Sequence, residues 1–166
     1  MDAFEVRPVK YADVAALRPM IVALADHHGD TARLTSGDIL DLCFGTAPVL
    51  HVFVAAAGGQ LLGYAACTLQ AQLQRGCRWC DLHHLYVDAA HRGRGVGHAL
   101  IQASAEFAAS RSCVSLAVGT AQENVAAQRF YLGHGFTQRP SGGPRFRMDL
   151  QTGLAGADAN ATVRAT

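Results

Sequence analysis

The chain contains a strand, a glycine-rich turn and a helix in immediate succession between residues 79 and 109. The turn has glycines at positions 93, 95 and 97, and Arg92 and Arg94 lie beside them. Glycine allows the tight folding that directs successive backbone N–H groups, with the positive end of the helix dipole, at one point. The succession therefore predicts a binding site for an anionic group, and a pyrophosphate fits this description well.

Two common phosphate-binding motifs do not match this turn. A dinucleotide-binding G-x-G-x-x-G motif requires glycine where the chain has His98, and no acidic residue follows about twenty positions later to hold a ribose. A Walker A loop requires Gly-Lys-Ser/Thr, whereas the only lysine of the chain is Lys10. The pattern that remains is Arg-x-x-Gly-x-Gly, formed by Arg92, Gly95 and Gly97.

Composition excludes several kinds of partner. With 14 Lys+Arg against 13 Asp+Glu, the net charge of +1 provides no field for nucleic acid or for a membrane surface. No apolar run approaches the roughly 20 residues that span a bilayer, and the first ten residues do not resemble a signal peptide. We therefore expect a cytoplasmic protein with reduced cysteines. The preference for arginine over lysine is typical of GC-rich bacterial coding.

Hydrophobic periodicity predicts an α/β chain with a mixed sheet. The predicted strands are 4–8, 50–56, 60–69, 79–87 and 113–118, with closing strands at Phe136 and 145–150. The predicted helices are 13–27 (with Asp13 as its N-cap), a helix from Thr35/Ser36 to Gly45, 98–109 and 124–133. Gly58-Gly59 is a hairpin signal between two strands. We expect one domain over 1–150 and a mobile tail over 151–166.

A second motif lies in the last predicted helix and the residues after it. Residues 124–136 read N-x-x-A-x-x-F-Y-x-x-x-G-F, about thirty residues after the glycine turn. Together the two motifs resemble the GNAT superfamily of N-acetyltransferases. The resemblance implies acetyl-CoA as co-substrate without a metal, and a homodimer. It also implies a GNAT fold, whose mixed sheet of six to seven strands is splayed at the acetyl-CoA cleft and flanked by about four helices.

The same resemblance assigns roles to individual residues. Asn124 is expected to contact the pantetheine or phosphate region of the cofactor, and Leu85 and Val87 to bind the pantetheine arm through their main chains. Tyr131 is expected to be the general acid, since a phenol of pKa about 10 can protonate a departing thiolate; the alternative is an ordinary aromatic residue of an amphipathic helix. The expected cofactor-binding set is Leu85, Tyr86, Val87, Arg92, Gly93, Arg94, Gly95, Val96, Gly97, His98, Asn124, Ala127 and Phe130.

The His83-His84 pair lies two residues before the expected cofactor strand edge. Strict alternation places Asp81 and His83 on the face of Leu85 and Val87. His83 is then a candidate base that relieves an ammonium of its proton, with Asp81 behind it; the alternative is a hydrogen-bonded sheet histidine. Alternation turns His84 the other way, towards a structural role, although a substrate contact remains open.

Cys77-x-x-Cys80, followed by two histidines, superficially suggests a zinc site. On a strand, however, residues three apart face opposite sides, and no second ligand pair follows downstream. We therefore expect no metal here, and interpret both cysteines as packing residues.

Residues 34–48, His51 and Val54-Ala55 resemble the second helix and the following strand of the diamine (spermidine/spermine and thialysine-type) N-acetyltransferases. That branch has a Glu-Asp pair in place of His83-His84 and a Tyr-Glu pair in place of His27-His28, so the charges that attract a polycation are missing. Asp26, Asp30 and Asp81 replace them only in part, and His27 and His28 are either surface residues or substrate contacts. We expect a small-molecule primary amine as acceptor; the alternatives are a protein or peptide amine, and a non-catalytic acyl-CoA-binding module.

Overall fold

The computed structural model describes residues 3–139 of the 166-residue chain. Its strands are β1 (Glu5–Pro8), β2 (His51–Ala57), β3 (Gln60–Gln72), β4 (Cys77–Val87) and β5 (Cys113–Val118). Its helices are α1 (Val14–His27), α2 (Ser36–Phe44), α3 (Val96–Ser110) and α4 (Val125–Gly133), with single 3-10 turns at Tyr11–Asp13, Leu73–Arg75 and Ala89–His91. Within this range no helix has both the length and the apolar character needed to cross a membrane.

The strands form one sheet in the order β1-β2-β3-β4-β5. The first four strands pair in an antiparallel manner, and β5 pairs parallel to β4 after the crossover through α3. The α/β fold with a mixed sheet and four helices is confirmed, but residues 3–139 supply five strands where six to seven were expected. Phe136 lies in no strand, since the chain turns at Gly135 with φ of 83°. The predicted strand 145–150 and the tail 151–166 lie outside the described residues.

Local sequence signals explain several element boundaries. Gly58 and Gly59 adopt φ of 56° and 80°, as the two-residue turn between β2 and β3 requires. Thr35 caps α2 by accepting a hydrogen bond from the Asp38 amide, while the Asp38 carboxylate accepts one from the Thr35 amide. Asp13 occupies the predicted N-cap position of α1, but its side chain makes no capping hydrogen bond to that helix. Its carboxylate is instead held by the Arg7 guanidinium in a bidentate pair, at 2.6 and 3.0 Å.

Each face of the sheet carries its own apolar cluster. One cluster joins α1 and α2 to the sheet, with Leu17, Ile39 and Tyr64 among its buried members. The other joins α3 to the opposite face, where Leu82 and Leu100 are buried and α4 adds partly buried aromatic rings. The sheet is therefore covered by helices on both faces. The end of β4, which lies beyond its pairing with β5, is located between these two helix layers.

Candidate active site

The central feature of the candidate site is the end of β4. Parallel pairing with β5 stops at Leu82 and Val118. Beyond this point His84–Val87 keeps antiparallel partners on β3, and His83–Val87 has no partner on β5 within the described residues. One side of this backbone therefore has N–H and C=O groups without a strand partner among the described residues, and an extended ligand can pair with them as an added strand does.

A β-bulge occurs at the same place. Ala66 pairs with His84 and Cys67 pairs with Leu82, so His83 is an extra residue in β4. Because a bulge reverses the alternation of side chains beyond it, the prediction that Asp81 and His83 share a face with Leu85 and Val87 is wrong. Before the bulge Cys80 and Leu82 join the cluster under α3, and after it Leu85 and Val87 do so.

The histidine pair therefore faces α1 and α2. The rings of His83 and His84 stack with centroids 4.5 Å apart, and both line a pocket on that side of the sheet. His83 is exposed and His84 is half-buried. The bulge thus places the exposed imidazole of His83 directly after the last residue of β4 that pairs with β5.

The glycine turn follows directly after the free edge of β4. Gly93 and Gly95 adopt φ of 72° and 82°, and open space surrounds the position of an added Cβ at each. Arg92 ties the turn to the strand, since its Nε donates to the Val87 carbonyl at 3.0 Å. The first bond inside α3 runs from the Ala99 amide to the Gly95 carbonyl, so the amides of residues 96–98 point out of the helix N-terminus.

Helix α4 packs against this turn through Phe130. A Cβ added at Gly97 would lie 3.0 Å from Phe130 Cζ and 3.7 Å from Val87 Cγ2. The end of β4, the start of α3 and the middle of α4 therefore meet at one glycine. Outward-facing amides, an open glycine turn and an unpaired strand edge in sequence fit a pyrophosphate followed by an extended pantetheine arm.

Tyr131 lies beside Phe130 on α4, with the two ring centroids 5.6 Å apart. It is half-buried, and burial raises the pKa of its phenol, so the hydroxyl keeps its proton at neutral pH. Asn124 caps α4, because its side-chain oxygen accepts a hydrogen bond from the Ala127 amide at 3.0 Å. Its side-chain nitrogen can still donate to a ligand, so the expected cofactor contact of Asn124 stays a prediction.

A pocket of about 490 Å³ lies on the α1 and α2 side of the sheet. Its floor is made of sheet residues such as Val52, Tyr64 and Ala66, and it reaches His83 and His84. Its outer rim is formed by residues of the connection between α1 and α2, namely His28, Asp30, Thr31 and Arg33. The pocket and the free edge of β4 therefore meet at His83.

Tyr64 and His84 form a polar pair at the inner end of this pocket. Tyr64 is buried, and its hydroxyl lies 3.1 Å from His84 Nδ1. Burial and the neighbouring imidazoles of His83 and His28 lower the pKa of His84 to about 4, so the ring is neutral near pH 7. Burial raises the pKa of the Tyr64 phenol, so this hydroxyl also keeps its proton, and the two neutral groups share one hydrogen bond.

The predicted site residues thus divide into two groups. One group lies around the start of α3 and the cap of α4 and consists of the turn residues with Val87, Phe130 and Ala127. The Tyr86 side chain does not belong to it, because it packs towards Tyr64 on the other face.

The second group was predicted to contact the acceptor. Of these residues His28 lines the pocket, while neither His27 nor Asp81 does so. His98 lies next to His134, with ring centroids 5.1 Å apart. Sequence reasoning missed Tyr64, because its contact with His84 depends on how β3 aligns with β4.

Comparison with known proteins identifies the family of the chain. A family model described as Acetyltransferase (GNAT) family matches residues 21–136. Because that match covers more than half of the chain, the protein belongs to the GNAT acetyltransferase family. This is the family of acetyl-CoA-dependent N-acetyltransferases. The diamine branch is a finer assignment that the match does not make.

The individual relatives are acetyltransferases with different names, and they do not agree on one acceptor. The chain is 28% identical over 142 residues to aminoglycoside N(6')-acetyltransferase type 1 of Klebsiella aerogenes, covering 80% of this chain and 89% of that protein. It is 28% identical over 109 residues to N-acetyltransferase 8B of Rattus norvegicus, covering 66% of this chain and 46% of the relative. The chain spans less than half the length of this relative, and 39% of an N-acetyltransferase from Methanocaldococcus jannaschii.

Solved structures share the fold. An aminoglycoside N-acetyltransferase in complex with CoA superposes with a TM-score of 0.67 at 24% identity, covering 87% of this chain and 100% of that one. An aminoglycoside acetyltransferase from an uncultured soil metagenomic sample, in complex with sisomicin, gives a TM-score of 0.73 at 17% identity, covering 89% and 97%. At these identities the likeness shows the fold alone.

Proposed function

We propose that the protein transfers an acetyl group from acetyl-CoA to a primary amine of a small molecule, by direct attack of the amine in a ternary complex. The free edge of β4 carries this proposal, because His83–Val87 has no β5 partner among the described residues and leads straight into the glycine turn. Membership of the GNAT family, and relatives named for acetyl transfer to aminoglycosides, support the same reaction.

Acetyl-CoA supplies the activated acyl group as a thioester. The outward amides of residues 96–98 and the cations of Arg92 and Arg94 hold its pyrophosphate. The backbone of Leu85 and Val87 pairs with the pantetheine arm. Phe130, packed over Gly97 and close to Val87, closes one side of the cleft.

The side chains then manage the protons. His83 accepts a proton from the acceptor ammonium, directly or through one water, so that the amine nitrogen can form a bond to the acetyl carbon. As the C–S bond breaks, the Tyr131 phenol protonates the departing thiolate and is restored by the second proton from the amine nitrogen. The products are the amide, the free thiol and one proton released to solvent.

A thiol-release assay tests the proposal. Purified protein is mixed with acetyl-CoA and a panel of amines, and free CoA is measured with a chromogenic disulfide. Amine-dependent release, with the acetylated amine identified by mass spectrometry, is expected. The control reaction omits the amine and reports only thioester hydrolysis.

The same assay separates the two other functions. CoA binding without release on any small amine contradicts the proposed reaction and favours a binding module. Release with a peptide N-terminus but with none of the small amines favours a protein acceptor. We retain the homodimer and the cytoplasmic location as predictions, which gel filtration and cell fractionation would test.

A further inference from the structure

The lining of the pocket limits which amine can enter it, provided that the proposed acetyl transfer takes place. Most of its wall is aliphatic: Leu17, Ile21 and Leu24 come from α1, Ile39 and Leu42 from α2, and Leu50 directly precedes β2. Leu17, Leu24 and Ile39 are buried members of the main cluster on this face. Its volume of about 490 Å³ lies within the range of roughly 300–1,000 Å³ that small-molecule pockets occupy.

The pocket offers little to a polycation. Of its described lining residues, Asp30 is the one carboxylate, and it is exposed at the rim. Arg33, at the same rim, carries the opposite charge, so the pocket lining has no net negative charge with its histidines neutral. Any second ammonium group carried inward would meet aliphatic walls and would lose its hydration without gaining a partner.

The polar side chains of the pocket, on β3 and β4, can accommodate a single amino group. Tyr64 and His84 are hydrogen-bonded to each other, and both are neutral near pH 7, so neither offers a negative charge to an ammonium group. His83 is accessible beside them and is stacked on His84. A molecule with a single amino group can place that group at His83 and its carbon skeleton against α1 and α2. Its polar end then meets the polar side chains of the pocket, and its apolar body meets the aliphatic ones.

We propose that the acceptor is an amine with one positive charge on an apolar body, an alkylamine or arylalkylamine, and that its body fills the aliphatic pocket between α1, α2 and the sheet. This acceptor differs from the polycationic aminoglycosides for which relatives are named. It also differs from a diamine, whose second charge would lie among the leucines.

The test compares two amines of the same chain length. Octylamine and 1,8-diaminooctane differ only in the distal ammonium group, and kanamycin and spermidine complete the panel. We expect kcat/KM for octylamine to exceed that for 1,8-diaminooctane by at least about tenfold, because the pocket cannot pair the second charge. A diamine, spermidine or kanamycin turned over as well as octylamine would overturn the inference and leave the proposed reaction intact.

A binding measurement separates this inference from the proposed reaction. Octylamine is titrated calorimetrically into the protein saturated with CoA, so no acetyl transfer is needed. Binding of octylamine but not of 1,8-diaminooctane supports the apolar pocket even if no amine is acetylated. Absence of octylamine binding overturns it, even if another amine proves to be a substrate.

Two leucines of α2 provide matched variants. Leu42 lines the pocket and is 38% exposed, whereas Leu40 is 37% exposed and does not line it. Leu42→Asp is expected to lower kcat/KM for octylamine about tenfold and to reduce its advantage over 1,8-diaminooctane, while Leu40→Asp stays within about twofold. CoA affinity should be unchanged in both, which shows that the variants are folded, and Leu42→Gln repeats the test without a new charge. Equal behaviour of the Leu42 and Leu40 variants would contradict the assignment.

Discussion

The two sides of the β4 edge are built by different means. On the side of α3 and α4 the candidate cofactor cleft consists of backbone groups: a strand edge without a β5 partner, glycines with positive φ and the first amides of a helix. On the side of α1 and α2 the candidate acceptor pocket consists of side chains from elements distant in sequence. His83, the extra residue of the bulge, lies where the two sides meet.

This difference predicts how each side responds to substitution. A backbone site tolerates exchange of most of its side chains but not a change of its glycines, because the N–H groups come from every residue type. A side-chain pocket changes its specificity with each lining residue while its backbone stays the same. We expect the largest effect at Tyr131 and the smallest at Arg94.

Tyr131→Phe removes the proposed acid and keeps the ring. We expect kcat to fall by about 10²-fold, the low end for general acid catalysis, with CoA affinity nearly unchanged. Thiol release over a range of pH values, with CoA titration calorimetry, checks both quantities. The matched control is Tyr11→Phe, whose exposed ring stacks on Phe44 away from β4. Unchanged turnover of the Tyr131 variant at every pH would remove this residue from the mechanism.

The variants His83→Gln and His84→Gln test which of the two histidines is the base. A base must be unprotonated to act, so the rate falls as pH falls through its pKa. We expect His83→Gln to abolish the acidic limb of the kcat/KM profile and to cost roughly tenfold at neutral pH.

The acidic limb above about pH 5 should persist in His84→Gln, because burial and the imidazoles of His83 and His28 hold the pKa of His84 at about 4. Loss of the limb in the His84 variant alone would move the base to His84.

Gly97→Ala tests the close contact between α3 and α4. The added methyl group would lie 3.0 Å from Phe130 Cζ, so the ring must shift and displace the wall of the cleft. We expect CoA affinity to fall about fivefold, the effect of modest overpacking. Gly133→Ala is the control, since nothing lies within 4 Å of its added Cβ. Equal affinities of the two variants would show that Phe130 does not border the ligand.

Arg94→Gln removes an exposed charge at the rim of the turn. Because water and salt screen such charges, we expect CoA to bind only two- to threefold more weakly at low ionic strength, with the difference vanishing near 1 M salt. Arg75→Gln, in the turn between β3 and β4, serves as a control of the same charge change. A loss that persists at high salt would indicate a direct, desolvated contact instead.

The turn and the helices on the cofactor side could be predicted from the sequence, and the arrangement of the pocket side could not, for a physical reason. Glycine spacing and the N-x-x-A-x-x-F-Y pattern are local, and they predicted the positive-φ turn and the helix that follows Asn124. The capping by Asn124 and the contact of Phe130 with Gly97 came only from the structure. Strand and helix bounds agree with the predictions to within a few residues for the same reason.

Long-range pairing accounts for the predictions that were wrong. The bulge at His83 depends on how β4 aligns with β3, and it reversed the predicted face of Asp81. The Tyr64–His84 pair joins residues twenty positions apart, which no local pattern encodes. Asp13 was assigned as a cap from its position, but its partner Arg7 lies on a separate strand.

Hydrogen exchange on addition of CoA tests the central claim most directly. That claim is that the backbone of His83–Val87 and of the turn at 93–97 holds the ligand. We expect alternate amides of His83–Val87, together with those of residues 96–98, to exchange more slowly when CoA is added, while the amides of β2 do not change. Binding of CoA without added protection in these two segments would contradict the account.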